Sequence, residues 1–371
     1  MPDLIKKKYI LLILLIPLIL IFFPTLFLGK TLFYRDISIH DYPLNQYIIE
    51  SYKSGEFPLW NPYLFSGLPQ MASLQPAMFY PSILIFLFLP FHIAFSISLI
   101  IHYFLSGLGI YLIGRYWSLS KTASLTGGIV FALNGYMFEL TSLSYILYAV
   151  TWVPYIFLFT NKILDKPAFK DFYLLLLFFA LQLSTGRIDY FYFTQIFLWI
   201  WIGYRFLNTK DKNDKLQFSI NSSFIMIISV ISILLLALQI FPSLEFLKTT
   251  RRNDSLDLEI ATIWSLHPLQ LLNMCFSNFF GNLFYTKGIS RLISTDRDLT
   301  FLIYNLYFGF VPIILSIYSL IRKDRKALFL FFIAIVFTFC SFGKYSPVYE
   351  IFFNYFPGFQ ATRYPAKLFI F

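Results

Sequence analysis

Long apolar runs separated by short polar segments set the pattern of this chain. Apolar runs lie at about residues 9–28, 91–114, 122–138, 143–161, 172–185, 190–207, 222–242, 301–321 and 327–341, and another begins at Lys367. A helix of about 20 apolar residues crosses the hydrocarbon core of a bilayer, where every backbone polar group must be paired internally. The pattern therefore predicts an all-α polytopic membrane protein, a helical bundle of about ten spans. The run 81–90, closed by prolines, is too short to span and is predicted to be interfacial or re-entrant.

Composition supports the membrane interpretation. Of the 371 residues, 58% are hydrophobic and 13% are charged, and the mean hydropathy is +0.69. Soluble domains carry about 25% charged residues, so an ordinary soluble domain is excluded. The two cysteines, Cys275 and Cys340, provide neither a disulfide framework nor a metal-ligand spacing.

The net charge of +10 predicts the topology of the chain. If the N-terminus is cytoplasmic, the inner segments are 1–8, 115–121, 162–171, 205–218 and 322–326. They hold 16 of the 29 Lys and Arg residues but only 6 of the 19 Asp and Glu residues. Cytoplasmic loops of membrane proteins are enriched in Lys and Arg. We therefore expect a multi-pass protein of a bacterial plasma membrane with its N-terminus inside, and no nucleic-acid partner is needed to explain the charge.

The two ends of the sequence suggest a retained anchor and a longer protein. Lys6, Lys7 and Lys8 precede an apolar run that is too long for a signal-peptide core and lacks a small-residue cleavage site. This run is predicted to be a signal-anchor helix. The apolar run from Lys367 stops at Phe371, so we expect residues 1–371 to be a single membrane domain truncated at its C-terminus.

Two outer segments are long enough to carry function, at about 29–80 and 243–300. Long connections in compact domains are uncommon unless they are functional. The first contains repeated Pro and Gly residues and a helix predicted from Pro43 to about Lys53. The second is polar, with charged runs at 251–254 and 296–298.

Asp36 is the strongest candidate in the first loop, with Asp41 next. A carboxylate just beyond the outer end of a span lies where a lipid-borne substrate meets water. The alternative is a charge at a helix boundary, paired with Arg35 and contributing little. His40 adjoins Asp41, and this group of side chains is compatible with a divalent metal without requiring one.

Two motifs of the first loop resemble a known family. Residues 55–63 read GEFPLWNPY and residues 65–69 read FSGLP, followed by Gln75 and a Tyr-Pro pair at 80–81. They are similar to the first outer loop of the bacterial YfhO-type membrane proteins, which belong to the GT-C superfamily of glycosyltransferases. The resemblance is specific over about 33–81 and looser along the alternating spans.

The resemblance implies a fold, a reaction and a site. The fold is a GT-C-like bundle, the donor a polyprenyl-phosphate-linked sugar, and the acceptor an extracytoplasmic glycan or glycolipid. It also implies an acidic catalytic base in the first loop, which Asp36 or Asp41 matches. His40, Asn61 and Gln75 are candidate substrate-binding residues of the same loop.

Four charges elsewhere complete the candidate site. Many relatives carry a Gly-His-Pro-Gln-like block after the fifth span, where this chain has Thr-Gly-Arg-Ile-Asp at 185–189. Its Arg187 and Asp189 are candidates because charges at membrane depth are costly, and the alternative is a mutual salt bridge or snorkelling to the interface. Arg363 and Lys367 flank a Tyr-Pro pair and are expected either to bind a lipid phosphate or to anchor the chain to membrane lipids.

Missing motifs narrow the chemistry. The chain has no Walker A sequence, Rossmann fingerprint, G-x-S-x-G, H-E-x-x-H or C-x-x-C. An ATP-driven pump and a cytosolic nucleotide-sugar enzyme are therefore disfavoured. The leading hypothesis is a membrane glycosyltransferase that uses a lipid-linked sugar. The alternatives are a transporter or flippase of lipid-linked precursors and a non-catalytic assembly factor.

Overall fold

The computed structural model describes residues 2–75, 77–250, 256–281 and 302–371. The charged runs at 251–254 and 296–298 lie outside these residues. All regular elements of the described ranges are helical, and extended segments pair there only in an isolated antiparallel bridge between Asn61 and Leu68. The all-α prediction is confirmed for this part of the chain.

Sixteen α-helices occur in the described residues. The first eight are α1 (Pro2–Ile21), α2 (Phe23–Phe27), α3 (Tyr42–Lys53), α4 (Ile83–Phe88), α5 (Phe91–Tyr116), α6 (Lys121–Ala132), α7 (Gly135–Glu139) and α8 (Ser144–Asp165). The others are α9 (Phe169–Ser184), α10 (Ile188–Asn208), α11 (Lys212–Leu235), α12 (Ala237–Lys248), α13 (Leu258–Ala261), α14 (Phe310–Ile321), α15 (Arg325–Ser341) and α16 (Pro347–Tyr355). Short turns add a π-helical segment at Ile37–Asp41 and 3-10 segments at Leu140–Leu143, Pro268–Met274, Gly343–Tyr345, Phe359–Ala361 and Pro365–Ile370.

Three helical stretches of the described chain are long and apolar enough to cross a membrane. They are Phe91–Tyr116, the stretch Lys121–Asp165 that contains α6 to α8, and Lys212–Leu235. Leu12–Ile21 and Phe310–Ile321 are apolar but shorter. Three such stretches are fewer than the about ten spans that the apolar runs predict. The described residues therefore support a membrane protein but not that number of spans.

Two expected spans are interrupted. Within 122–138, α6 ends at Ala132, and Asn134 caps α7 by accepting a hydrogen bond from the backbone N–H of Met137 at 2.9 Å. Within 301–321, residues 302–309 lack regular structure, and α14 starts after Gly309, whose φ is 84°. Apolar composition does not reveal such breaks because a capped turn and a continuous helix have similar average hydropathy.

The chain forms two compact units. Unit 1 consists of Met1–Ala132 and Thr141–Thr249, and unit 2 consists of Leu133–Leu140 and Thr250–Phe371. The first loop, α8 and the turn between α9 and α10 therefore belong to unit 1.

Helix α8 is the centre of unit 1. Nearly all of its residues are buried, on every side of the helix, as expected for a helix surrounded by other elements. Helices α5 and α6 approach closely through small residues. A Cβ atom on Gly107 would lie 2.9 Å from the carbonyl oxygen of Gly128, and one on Gly114 would lie 2.7 Å from Oγ of Ser124. Small facing residues let helices in membranes pack backbone to backbone.

A buried polar cluster holds the end of the first loop against this bundle. The Nδ1–H of His102 donates to the carbonyl oxygen of Ser98 at 2.6 Å, so its Nε2 accepts from the hydroxyl of Tyr80 at 2.5 Å. The indole N–H of Trp152 donates to the same Tyr80 oxygen at 3.0 Å. His102 is thus a satisfied interior residue, and the loop is fixed at Tyr80.

In unit 2, the 3-10 segment Pro365–Ile370 packs along α15. The hydroxyl of Tyr136 donates to the backbone carbonyl of Lys367 at 3.3 Å. The apolar run that begins at Lys367 thus starts inside a short 3-10 segment in this structure.

Candidate functional site

The candidate catalytic residues lie on the π-helical turn Ile37–Asp41, directly before α3. Asp36 precedes this turn, and His40 and Asp41 end it. A π-helix closes i to i+5, so one turn brings His40 and Asp41 back to the side that carries Asp36. The charge of Asp36 acts on Asp41, which agrees with this proximity. We call the Asp36, His40 and Asp41 side chains the acidic face.

The backbone at this turn is strained. Arg35, immediately before Asp36, has a φ of 48°, in the left-handed region that side chains rarely adopt. Such conformations cost about 1–3 kcal/mol and persist where the surrounding structure imposes them, often at functional sites. π-helical turns are likewise common at functional sites.

Asp41 is the buried member of the acidic face, with 2% of its side chain exposed. Its Oδ2 accepts a hydrogen bond from Oγ of Ser144 at 2.6 Å, and its Oδ1 lies 3.0 Å from Nδ1 of His40. Asn45 fixes its backbone by donating to the Asp41 carbonyl at 2.7 Å and to the hydroxyl of Tyr145 at 2.8 Å. Burial raises the pKa of the Asp41 carboxyl, and the hydrogen bonds from His40 and Ser144 partly oppose that rise.

The contacts of Asp41 continue into the bundle. Ser144, the first residue of α8, interacts with the hydroxyl of Tyr148, which also accepts from Oγ of Ser98 on α5 at 2.9 Å. Tyr148 stacks on His102, with 4.0 Å between ring centroids. The acidic face is therefore tied through Ser144 to the same buried cluster that holds Tyr80.

Asp36 differs from Asp41 in its exposure to solvent and in its lack of hydrogen-bond partners among the described residues. Its side chain is partly exposed, and it has no hydrogen-bond or ion-pair partner among the described residues. The pairing with Arg35 that the sequence leaves open is therefore absent from this part of the structure. Asp36 is the carboxylate of the acidic face that is open to a bound molecule.

Asn61 and Gln75 shape the loop. Asn61 is buried, its Nδ2 donates to Oε1 of Gln70 at 2.9 Å, and its Oδ1 accepts from the N–H of Tyr63 at 3.0 Å. Gln70 in turn donates to the backbone carbonyl of Gln75 at 3.4 Å. Both side-chain groups of Asn61 are occupied within the loop, so its position supports an architectural role.

Arg187 and Asp189 pair at the start of α10. The distance from Nη2 of Arg187 to Oδ2 of Asp189 is 2.6 Å, so the mutual ion pair that the sequence leaves open is formed. The pair does not use the whole guanidinium, because the buried Nε of Arg187 has no hydrogen-bond partner in the described chain. One N–H of the Arg187 guanidinium is thus both enclosed and unpaired among the described residues.

The first loop lies directly on the turn that carries Arg187. Gly186 has a φ of 74°, and a Cβ atom there would lie 1.9 Å from the carbonyl oxygen of Leu74. Only glycine permits both this backbone conformation and this approach. The structure therefore brings together two regions that the sequence singles out, the first loop near Gln75 and the turn at Arg187.

Arg363 and Lys367 form a separate group in unit 2. Their cationic groups lie 4.5 Å and 4.8 Å from the centroid of the Tyr364 ring, within cation–π range. The ring of Trp264 lies 4.5 Å from the same ring, and Tyr364 and Trp264 have φ values of 71° and 59°. Lys367 is 5% exposed, so this is a packed cluster rather than a pair of loose surface charges.

Sequence reasoning misses Ser144 as a site residue. Ser144 lies 103 positions after Asp41, and one serine at the start of an apolar helix carries no local signal. The described ranges contain no group of three or more His, Cys, Asp or Glu side chains arranged to hold a metal ion.

Comparisons of the chain with protein-family models, with curated proteins and with solved structures give no match.

Proposed function

We propose that the protein is a GT-C-type membrane glycosyltransferase that transfers a sugar from a polyprenyl-phosphate carrier to an extracytoplasmic glycan or glycolipid. One observation carries this proposal: a free carboxylate, Asp36, stands on a strained turn beside a buried His40–Asp41 pair, in a loop held rigidly on a helical bundle. The resemblance of 55–69 to the YfhO-type loop supplies the reaction class. About ten spans and an inside N-terminus belong to the same proposal.

The reaction needs a base and a site for negative charge. The acceptor hydroxyl oxygen bonds to the anomeric carbon, and the bond from that carbon to the carrier phosphate breaks. The bonding pair leaves with the phosphate, and the hydroxyl proton passes to a base on the acidic face. Fixed cationic donors stabilise the charge that develops on the leaving phosphate.

The polar groups divide between these two tasks. Asp36 is open to the acceptor, whereas Asp41 is enclosed and supports the turn. Arg187 offers a buried N–H with no partner among the described residues, on the turn that receives the first loop. We assign Arg187 to binding of the carrier phosphate. In unit 2, Arg363 and Lys367 offer positive charge, and we assign them separately to binding of a lipid phosphate.

The identity of the sugar donor that the protein consumes distinguishes the proposed function from its alternatives. We expect the purified protein in lipid nanodiscs to consume a polyprenyl-phosphate hexose carrying a labelled sugar when a cell-envelope glycolipid fraction is supplied. We expect no consumption of the matching nucleotide sugar. Transfer from the nucleotide sugar in the absence of carrier lipid would rule the proposal out.

Asp36→Asn provides the site-directed arm of the same assay. We expect it to lower transfer by about 10²-fold or more, because it removes charge from the acidic face. Asp257→Asn is the matched control, since Asp257 is exposed and makes no capping hydrogen bond. If Asp36→Asn and Asp41→Asn both transfer normally, the reaction does not use this face, and a transporter or assembly role becomes the better account.

A further inference from the structure

The pair formed by His40 and Asp41 has the geometry of an oriented base. When Asp41 is ionised, its carboxylate only accepts hydrogen bonds, so the neutral imidazole of His40 carries its proton on Nδ1, 3.0 Å from Oδ1 of Asp41. This fixes the tautomer and leaves Nε2 with a free lone pair. The His40 side chain is 38% exposed, in contrast to the 2% of Asp41.

We infer that Nε2 of His40 takes the proton from the acceptor hydroxyl and that Asp41 is the positioning residue that orients it. This inference rests on the proposed function. As the acceptor oxygen bonds to the anomeric carbon and the phosphate departs, the hydroxyl proton moves to Nε2 and gives an imidazolium. Asp41, which interacts electrostatically with His40, stabilises that cation, and the exposed ring returns its proton to water.

The carboxylates of the acidic face fit the role of proton acceptor less well. Both oxygens of Asp41 are engaged, by Ser144 and by His40, and its side chain is enclosed. Asp36 is open but has no hydrogen-bond partner among the described residues that fixes its orientation. Imidazole is the side chain that most often acts as general base, and a carboxylate behind it sets its tautomer and stabilises its charged form.

The support behind His40 reaches the helical core. Ser144 on the first turn of α8 holds Oδ2 of Asp41 at 2.6 Å, and Asn45 holds the Asp41 backbone. The imidazole is therefore aligned by a buried carboxylate that is itself fixed in two places.

Transfer by His40→Ala tests the base directly. We expect a loss of about 10²–10⁴-fold in kcat with an unchanged unfolding midpoint. Added imidazole should restore part of the rate, because a free base can occupy the vacated space. His92→Gln, which changes a histidine outside the site, is the control and should transfer normally. A folded His40→Ala that transfers at the wild-type rate, or that is inactive and not restored by imidazole, overturns the inference while leaving the proposed function standing.

Carbethoxylation by diethylpyrocarbonate tests the pair without any substrate. The reagent attacks an unprotonated imidazole nitrogen, and peptide mapping separates the 4 histidines. We expect His40 to react fastest, and its rate to fall several-fold in Asp41→Asn, where the tautomer is no longer fixed. Equal rates for His40 in the two proteins overturn the coupling. A wild type that uses no polyprenyl-phosphate sugar defeats the proposed function, and the catalytic role of His40 falls with it.

Discussion

The buried environment of Asp41 disfavours the ionised form of its carboxyl group. Burial raises the pKa of its carboxyl above the ordinary value of 3.8, so the folded protein binds a proton more tightly there than the unfolded chain does. The resulting stabilisation is complete below pH 3.8 and is lost as the pH rises through the raised pKa. Ionisation of Asp41 therefore weakens the fold relative to its protonated form, which is typical of a group retained for function.

Asp41→Asn should separate stability from activity. Because the amide carries no charge, we expect an unfolding midpoint at neutral pH at least equal to that of the wild type. The decline in stability from acidic to neutral pH should also be smaller. Transfer should fall, since the amide does not stabilise the imidazolium of His40. Circular dichroism during heating, at several pH values, measures the first effect, and a markedly lower neutral midpoint would mean that the carboxylate supports the fold.

At the scale of elements, the 3-10 segment Pro268–Met274 depends on an unprotonated histidine. Nδ1 of His267 accepts from the N–H of Leu269 at 3.2 Å, and the side chain of Gln270 accepts from the N–H of His267 at 2.8 Å. Burial and then the charge of Lys344 lower the pKa of His267 below 6.5. Its contribution to stability is therefore present above pH 6.5 and is lost as the pH falls through the lowered pKa.

His267→Asn should remove this acid sensitivity while keeping the cap, because the asparagine oxygen accepts the same hydrogen bond without titrating. His267→Ala should lose the cap and about 1 kcal/mol at neutral pH. Unfolding of unit 2 can be followed with a thiol-reactive dye in a Cys275→Ser background, since Cys340 is buried in the folded protein whereas Cys275 is partly exposed. Identical acid sensitivity in His267→Asn and the wild type would locate the titration elsewhere.

The contact between the first loop and the turn before α10 leads to a second prediction at this scale. Gly186→Ala places a methyl group at 1.9 Å from the carbonyl oxygen of Leu74. We expect the loop to detach, so that limited proteolysis cleaves within 55–75 several-fold faster and transfer falls. Gly203→Ala is the matched control, because a Cβ atom there meets nothing within 4 Å. An unchanged cleavage rate in Gly186→Ala would show that the contact with Gly186 does not hold the loop in place.

Sequence reasoning predicts local features of the fold better than distant ones. The helix predicted from Pro43 is present from Tyr42 to Lys53, because proline and the apolar pattern act within the segment itself. The grouping of Asp36 with His40 and Asp41 is similarly local. The hydrogen bond from Ser144 joins residues 103 apart, which no local pattern encodes.

At the scale of the whole molecule, the candidate residues are divided between the two units. The acidic face and Arg187 belong to unit 1, and Arg363 and Lys367 belong to unit 2. The family resemblance of the first loop concerns unit 1 alone. Arg363 and Lys367 in unit 2 are included in the proposal because both cations lie over the ring of Tyr364.

The membrane topology of the whole chain can be tested directly. From the distribution of Lys and Arg we expect 162–171, 208–218 and 322–326 in the cytoplasm and 29–80 and 243–300 outside. Reporter fusions that are active on only one side of the membrane, inserted in each segment, measure this arrangement. If 29–80 reports from the cytoplasm, the acidic face lies in the wrong compartment for an extracytoplasmic acceptor.

The contact between the first loop and Gly186 also determines when the site can form during synthesis. Leu74 and Gly186 are 112 residues apart, an interval that a ribosome translating about 5–20 residues per second covers in roughly 6–22 s. The residues of the acidic face have already been synthesised when this interval begins, and Ser144 is added within it. The turn that contacts the loop is made only at its end. The site is therefore completed only after α9 and the start of α10 have been synthesised, and a nascent chain arrested earlier displays the loop without its support.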